Sequence, residues 1–467
     1  MASKYPPGTS LFLVPFTLPG WRFVFVSGLV LALAGAWMFL LVLRRFAPDA
    51  DPSWALLYLF YPAVVLYSRT VMSDLPAATL TLAAFYCLLR SDANPRNPTH
   101  PPTPLWALGA GAALGYSCLV RYANAVLVPV FITLILLGRV RRARALMLIA
   151  TGIAPFAALA LGYNALAYGG PLKFPMHLTT VFSLAYAPAN LWRYCSSLAL
   201  LYPLMLIAPL AAGRGAWYKL ALPAAAMLLT YSLIPHPTPG LTIVGRTVTG
   251  LRYLLPAVPF LVLGYSLALH RLARRTPMIA KLKPAAILII ALAGITLQWR
   301  HQRMLQTQDA CRRALLAAIP QTALLLCNVD ASKLLSPAWG TRRYRLITEH
   351  GVPVELARKP PDADTLYAAY LEQPGRPKPL QRMIFETTIA RYPGRVPVLQ
   401  LEKPCRVRIL QLRPGAPHAR SSLLAPRSPF IAHRSSRPSP GYTTSPQPRT
   451  YSPHTEASPS THPGAAR

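Results

Sequence analysis

The stretch YPAVVLYSRTVMSDLPAATLTLAAFYCLLR, residues 61–90, indicates how this chain folds. It joins two apolar runs, 54–68 and 75–89, through a short polar segment that contains Asp74. About 20 helical residues cross the roughly 30 Å hydrocarbon core of a bilayer. The stretch therefore predicts two membrane helices with a carboxylate at the boundary between them.

Further apolar runs make the whole sequence typical of a multi-pass membrane protein, since 53% of its 467 residues are hydrophobic. We predict an all-α membrane domain of about nine or ten transmembrane helices. A small extracytoplasmic α/β domain and a disordered tail are predicted to follow it. The candidate spans are 21–43, 54–68, 75–89, 105–120, 123–138, 145–168, 194–212, 216–234, 253–270 and 284–299.

The net charge of +34 is explained first by membrane topology, because most basic residues before position 300 lie between the apolar runs. Such residues also attract anionic headgroups and phosphates. Nucleic acid is excluded as a partner because no soluble module carries a basic stripe interleaved with aromatic residues. Membrane lipids are the expected surroundings.

Two dense basic loops fix the predicted orientation. GRVRRAR (138–144) and HRLARRTPMIAKLK (270–283) should both be cytoplasmic by the positive-inside rule. Counting outward from them places Asp74, Arg121 and everything after Trp299 on the outer face of the plasma membrane. The same count puts Met1 outside although no signal peptide precedes it, which suggests an additional upstream helix.

Residues 301–415 are predicted to form the extracytoplasmic α/β domain. Helical periodicity covers 303–318, 362–373 and 379–392, and strand-like runs cover 322–329, 395–402 and 406–412. One disulfide is possible among Cys311, Cys327 and Cys405. Residues 416–467 are rich in Pro, Ser, Thr and Arg, and such a segment cannot bury enough apolar surface to order itself.

Four segments should meet at the outer boundary: YPPG (5–8), SRTVMSD (68–74), VRYAN (120–124) and GRTVTGLRYLLPAVP (245–259). They bring Arg, Tyr, Gly and Pro around one carboxylate. The planar guanidinium of Arg suits phosphate, and the Tyr ring can stack on a sugar at the headgroup level. A lipid-linked phosphosugar requires both kinds of contact.

Simpler roles stay open for these residues. SDLP (73–76) is a helix N-cap pattern in which Asp74 would complement the helix dipole. Arg69, Arg246 and Arg252 could extend to the headgroups. Arg121 has little loop around it, so it could pair with Asp74. A transporter or lipid-binding protein without transfer chemistry would use the same residues for anion recognition.

The order of five motifs resembles the GT-C membrane glycosyltransferases. The motifs are KYPPGTSLFLVPF, YPAVVLYSRTVMSDLPAATLTLAAFYCLLR, GAALGYSCLVRYANAVLVPV, YNALAYGGPLKF and LRYLLPAVPFLVL. The resemblance covers about residues 4–300. Glycosyltransferase family 39 is the most similar branch, which includes the dolichyl-phosphate-mannose protein mannosyltransferases and the aminoarabinose transferases.

The resemblance implies transfer of a sugar from a polyprenyl-phosphate donor to a lipid, glycan or protein acceptor on the outer face, with inversion at the anomeric carbon. Asp74 would be catalytic, orienting the acceptor or a divalent metal ion. The implied substrate-binding residues are Tyr5, Arg69, Arg121, Tyr122, Lys173, Arg246, Arg252 and Tyr253.

The sequence departs from the family at its start. Family members begin with one more helix and a long outer loop that carries an acidic base and closes with YPPG, which lies here at residues 5–8. Residues 1–20 are therefore interpreted as the remnant of that loop, before a membrane domain over 21–300. An inactive, truncated relative is a further alternative.

Overall fold

The computed structural model describes fourteen segments of the chain. The described residues are 6–91, 104–138, 142–173, 182–213, 216–234, 250–320, 323–328, 331, 343–346, 366–372, 379–390, 392, 394–401 and 406–413. Tyr5, Arg246, Cys405 and the tail 416–467 lie outside them. All statements below concern the described segments.

Helices make up the part of the chain that precedes residue 319. Their bounds are α1 Gly8–Thr17, α2 Val26–Phe46, α3 Leu56–Leu59, α4 Pro62–Tyr67, α5 Asp74–Ser91, α6 Pro104–Val120, α7 Leu127–Leu137, α8 Arg142–Tyr168, α9 Ala187–Leu201, α10 Trp217–Ser232, α11 Val258–Arg275 and α12 Pro277–Ala318. Short 3-10 turns connect several of them, including Tyr122–Val126 and Gly250–Leu254.

Three of the described helices are long and apolar enough to cross a bilayer: Arg22–Phe46, Arg142–Tyr168 and Pro277–Ala318. Shorter apolar helices, such as α1 and α6, pack around them. Large apolar side chains point outward from the bundle, for example Trp37 at 57% exposure and Leu166 at 91%. An outward apolar surface of this kind is favourable only in lipid, which confirms the membrane-protein prediction.

Two predicted spans are interrupted where proline follows an apolar run. The span 54–68 divides into α3 and α4, because Pro62 has no N–H to continue the first helix. The span 194–212 stops at Leu201, before Pro203, and the chain then turns through Leu204 with a positive φ of 64°. The 3-10 turn Ala208–Ala212 completes this segment.

Helices α6 and α8 cross closely because glycines face each other at the contact. A Cβ on Gly111 would meet the Ile149 carbonyl oxygen at 2.2 Å, and one on Gly152 would meet the Leu108 oxygen at 2.4 Å. Small residues allow two backbones to approach in this way in membrane bundles. The crossing fixes the position of α6, and Arg121 directly follows the C-terminal end of this helix.

Ion pairs join the chain segments at the other end of the bundle. Asp49 pairs with Arg274 at 2.6 Å, and Asp51 pairs with Lys283. The hydrogen bond from Lys283 lowers the pKa of Asp51 to about 2, with a further contribution from Ser53. These contacts tie the connection after α2 to the end of α11 and the start of α12. Both of those helix ends belong to the basic segment 270–283.

Helix α12 is a single helix of 42 residues, whereas the sequence predicted a span and a separate helix. At 1.5 Å per residue it is about 60 Å long, roughly twice the hydrocarbon thickness. Near its C-terminal end, Cys311 and Leu315 enter the core of the α/β domain. The α/β domain is therefore attached to the membrane bundle through continuous helix.

The α/β domain is built on a five-stranded sheet with the order β2-β1-β3-β5-β4. Its elements are β1 Leu324–Cys327, β2 Arg343–Leu346, β3 Leu366–Glu372, α13 Pro379–Ile389, β4 Gly394–Leu401 and β5 Arg406–Arg413. β1 pairs in parallel with β2 and β3, while β5 pairs antiparallel with β3 and β4. The predicted strands at 322–329, 395–402 and 406–412 are confirmed, as is the helix at 379–392.

The prediction of a helix at 362–373 is wrong. Residues 366–372 form β3, the central strand of the sheet. Leu371 and Tyr367 pack into one buried cluster, and Leu366 and Tyr370 pack into the cluster on the opposite face. A strand that is covered on both faces is a continuous apolar run, which periodicity does not distinguish from a buried helix.

Cys311 is disulfide-bonded, in agreement with the possibility raised from the sequence. Cys327 is a free thiol in β1, and burial raises its pKa to about 12. A thiol with so high a pKa is unreactive at neutral pH. The two described cysteines of this domain therefore differ in redox state.

Gly152→Ala should destabilise the bundle, because the new Cβ would collide with backbone atoms of α6. Overpacking of this kind costs about 1–3 kcal/mol. Gly162→Ala is the matched control on the same helix, since nothing lies within 4 Å of its Cβ position. Thermal unfolding in detergent should show a lower Tm for Gly152→Ala alone. Equal Tm values for both variants would contradict the close crossing.

Candidate functional site

Asp74 is the first residue of α5, and it is 3% exposed. Arg121, which directly follows α6, donates a hydrogen bond from its Nη1 to Asp74 Oδ1. The two side chains are 4% and 11% exposed, so the ion pair is almost fully removed from solvent. An isolated charge at such a place would be strongly unfavourable, and each residue therefore requires the other.

Two tyrosine rings pack against the guanidinium of Arg121. Its Cζ lies 5.0 Å from the centre of the Tyr231 ring and 5.3 Å from that of Tyr253. The two ring centres are 5.7 Å apart. Cation–π contacts of this kind are stronger when the cation is desolvated, as it is here. Arg121 is thus held by one carboxylate and two aromatic faces.

Arg252 also packs on the ring of Tyr253. Its Cζ is 4.6 Å from the Tyr253 ring centre, and its Nη2 donates to the Tyr253 hydroxyl at 3.0 Å. The Nε atom of Arg252 is buried without a hydrogen-bond partner among the described residues. Arg252 is therefore the arginine of this cluster that retains an unused donor.

A buried network of polar side chains joins the helices that position the ion pair. Asn124 donates to Ser117 Oγ, and Ser117 Oγ lies 3.0 Å from Thr81 Oγ1. Ser117 also donates to the carbonyl of Ala77, in the first turn of α5. All three polar side chains are 0% exposed. The network fixes the start of α5 to the end of α6, and with them Asp74 to Arg121.

Tyr122 points to a neighbouring cluster. Its hydroxyl donates to Asn164 Oδ1 at 2.8 Å, and Asn164 Nδ2 donates to the Pro171 carbonyl at 3.2 Å. Gly169, in the turn between these residues, has a φ of +75°, which glycine adopts without strain. Lys173 is exposed at the end of this turn. These contacts attach the loop after α8 to the VRYAN segment.

Arg69 contacts helix α12 and not the Asp74–Arg121 pair. Its Nη1 and Nε donate to the side-chain oxygen of Gln298 on α12, at 2.9 and 3.2 Å. The structure therefore brings together Asp74, Arg121, Arg252 and Tyr253, and it places Arg69, Tyr122 and Lys173 in other contacts. Tyr5 and Arg246 lie outside the described residues.

Sequence reasoning missed Tyr231, and it also missed two tyrosines that lie within electrostatic range of the cluster. Tyr67 is close to Asp74 and Arg252, and Tyr194 is close to Arg121. Each of the three sits within an apolar helix, where a tyrosine is ordinary. No local pattern distinguishes them, because only the packing of α4, α9 and α10 brings them to the ion pair.

Among the residues that the structure describes, no three His, Cys, Asp or Glu side chains come together as metal ligands. The side chains that the structure brings together at the site are one carboxylate, two guanidinium groups and several phenol rings. Such a set can bind an anion beside an aromatic surface.

The Asp74–Arg121 pair can be tested by a double-mutant cycle. Asp74→Asn or Arg121→Gln alone leaves a buried charge unpaired and should lower the unfolding free energy by about 3–5 kcal/mol. The double variant should lose clearly less than the sum. The half-exposed pair Asp309–Arg312 is the control, where coupling should be below about 1 kcal/mol. Additive losses at Asp74 and Arg121, measured by unfolding in detergent, would contradict the pairing.

Comparison with known proteins adds two findings. The model of the dolichyl-phosphate-mannose-protein mannosyltransferase family matches residues 7–142. A search of curated proteins found no match. The matched segment includes both Asp74 and Arg121, whereas Tyr231, Arg252 and Tyr253 lie beyond it.

The fold resembles that of solved structures. The crystal structure of ArnT from Cupriavidus metallidurans bound to undecaprenyl phosphate superposes with a TM-score of 0.56 at 13% identity, over 87% of this chain and 88% of that chain. The arabinofuranosyltransferase AftD from Mycobacteria superposes with a TM-score of 0.47 at 16% identity, over 84% of this chain and 33% of that chain.

These findings confirm the GT-C resemblance read from the five sequence motifs. The helical bundle followed by a small sheet domain agrees with the predicted architecture. The family match over residues 7–142 and the fold shared with ArnT both support the resemblance of this membrane protein to the GT-C glycosyltransferases.

Proposed function

We propose that the protein transfers a sugar from a polyprenyl-phosphate donor to an acceptor hydroxyl on the outer face of the membrane, with inversion at the anomeric carbon. The observation that carries the proposal is the cluster of Asp74, Arg121, Arg252 and Tyr253 around an ion pair that is almost fully removed from solvent. In support, a protein of the same fold has been crystallised with undecaprenyl phosphate.

Arg252 is the candidate ligand for the donor phosphate. Its guanidinium has an unused donor at Nε, whereas Arg121 is held by Asp74 and by two tyrosine rings. A guanidinium stays charged at all relevant pH values and matches the geometry of phosphate oxygens. It would stabilise the negative charge that develops as the phosphate departs.

The reaction is a single displacement. The acceptor oxygen forms a bond to the anomeric carbon, and the bond from that carbon to the phosphate oxygen breaks. The polyprenyl phosphate leaves with the electron pair, and the hydroxyl proton passes to a carboxylate base, the role that the family resemblance gives to an acidic residue of the first outer loop. Asp74 would orient the acceptor hydroxyl, since a carboxylate has accepting positions beyond the one that Arg121 occupies.

The disulfide at Cys311 supports an extracytoplasmic position for the α/β domain. Disulfides persist in oxidising compartments and are rare in the cytosol. The same orientation follows from the basic segment 270–283, which the positive-inside rule places in the cytoplasm. Helix α12 begins in that segment and ends in the α/β domain.

Purified protein should bind undecaprenyl phosphate, and Arg252→Gln should weaken binding by about tenfold or more, because a hydrogen bond to a charged group contributes about 1.5–3 kcal/mol. Arg303→Gln is the control, because it removes the same charge from an exposed residue outside the cluster. The Arg303 Cζ lies 3.8 Å from the centre of the Trp299 ring. The affinity can be measured by native mass spectrometry in detergent.

Failure of the unmodified protein to bind undecaprenyl phosphate would contradict the proposed donor. Equal weakening by Arg252→Gln and Arg303→Gln would show that only net charge matters, and it would contradict the assignment of Arg252. Binding without sugar transfer to any membrane acceptor would favour the alternative of a lipid-binding protein.

The orientation can be tested with two introduced cysteines. Met383 in α13 is 59% exposed, and Met278 at the start of α12 is 66% exposed. In intact cells, a membrane-impermeant thiol reagent should label Met383→Cys and not Met278→Cys, because only the first would face outward. Both variants should react after lysis, and the unmodified chain gives the background. The reverse pattern of labelling would overturn the orientation.

A further inference from the structure

Tyr231 carries a hydroxyl group that the fold buries without using. The residue lies in α10 and is 5% exposed. Its hydroxyl proton has no hydrogen-bond acceptor among the described residues. Buried polar groups are nearly always hydrogen-bonded, so each exception in a folded protein calls for a physical explanation.

No acceptor among the described residues takes the proton of the Tyr231 hydroxyl. The Arg121 guanidinium lies over the ring, with its Cζ 5.0 Å from the ring centre, and a guanidinium can only donate hydrogen bonds. The carboxylate of Asp74 pairs with Arg121 and makes no hydrogen bond to this hydroxyl. The hydroxyl therefore lies beside a positive charge with its own proton unshared.

A second unused donor occurs in the same cluster. Arg252 Nε is also buried without a partner, and Arg252 packs on the Tyr253 ring at 4.6 Å. The Tyr253 ring centre in turn lies 5.7 Å from that of Tyr231. The cluster therefore has two unpaired donors, the Tyr231 hydroxyl and Arg252 Nε, beside two guanidinium groups. An anionic acceptor would satisfy both donors.

We propose that Tyr231 is a substrate-binding residue whose hydroxyl donates a hydrogen bond to an oxygen of the donor phosphate. This inference rests on the proposed function and adds to it a residue outside the recognised motifs. A ligand phosphate accepts from Tyr231 and from Arg252 at once, which satisfies both buried donors. An unpaired buried hydroxyl costs free energy, and its hydrogen bond to the phosphate recovers that cost.

Two other tyrosines provide matched controls. Tyr58 and Tyr61 are fully buried, and their hydroxyls also lack partners among the described residues. Tyr58 stacks on Phe39 at 5.3 Å, and Tyr61 stacks on Tyr202 at 5.7 Å. Their stacking partners are aromatic rings and not a guanidinium. They share the burial of Tyr231 and not its charged surroundings.

The test is Tyr231→Phe, which removes the hydroxyl and keeps the ring that packs on Arg121. In the ligand-free protein, the Tm should stay equal or rise, because an unsatisfied buried donor has been removed. The Kd for undecaprenyl phosphate should rise by about tenfold or more. Tyr58→Phe should leave that Kd unchanged. A loss of affinity without a loss of stability distinguishes a binding role from a structural one.

Three results would overturn the inference. An unchanged Kd in Tyr231→Phe, with binding still weakened by Arg252→Gln, would remove Tyr231 from the site and leave the proposed function standing. A fall in both Tm and affinity would assign the hydroxyl a structural role. No binding of undecaprenyl phosphate by the unmodified protein would overturn the proposed function and this inference together.

The source of the phosphate is resolved by two further probes. Inorganic phosphate and phosphatidylglycerol vesicles should each protect the unmodified protein against thermal unfolding less than undecaprenyl phosphate does. Equal protection by inorganic phosphate would indicate a free anion as the ligand, and equal protection by the vesicles would indicate an ordinary headgroup. Either result would overturn the assignment to the donor.

Discussion

The rest of the site depends on one requirement, that a carboxylate inside an apolar bundle must be paired. Asp74 meets it with Arg121, and neither side chain is appreciably exposed. Because a misplaced partner would leave a buried charge, the two helices that carry the pair must be fixed to each other. The Thr81, Ser117 and Asn124 network supplies that fixation, and the glycine crossing of α6 on α8 holds α6 in place.

The same requirement separates the roles of the two arginines. Arg121 pairs with Asp74 and packs on the rings of Tyr231 and Tyr253, so it positions the carboxylate. Arg252 has an unused donor in a buried setting, which suits an incoming anion. The two residues are of the same type, but their different contacts in the fold give them different roles. The Tyr231 hydroxyl resembles Arg252 in this respect, because it too is a buried donor without an acceptor.

Helix α12 connects this site to the α/β domain. It packs on α4 and binds Arg69 through Gln298, close to the loop that precedes Asp74. Further along, it contributes Cys311 and Leu315 to the core of the sheet domain. A continuous helix transmits position without a flexible joint, so the α/β domain and the Asp74 loop share one rigid element.

The sequence by itself determined the membrane class and the approximate spans, because hydropathy and basic loops are local or sequential signals. It raised the pairing of Asp74 with Arg121 as a possibility, which the structure then showed. Tertiary structure decided the rest. Residues 366–372 became a strand because other strands cover them on both sides, and α12 remained one helix across the predicted boundary. Tyr231 joined the site only through the packing of α10. In each case the deciding contact lies far away along the chain, where neither periodicity nor composition carries information about it.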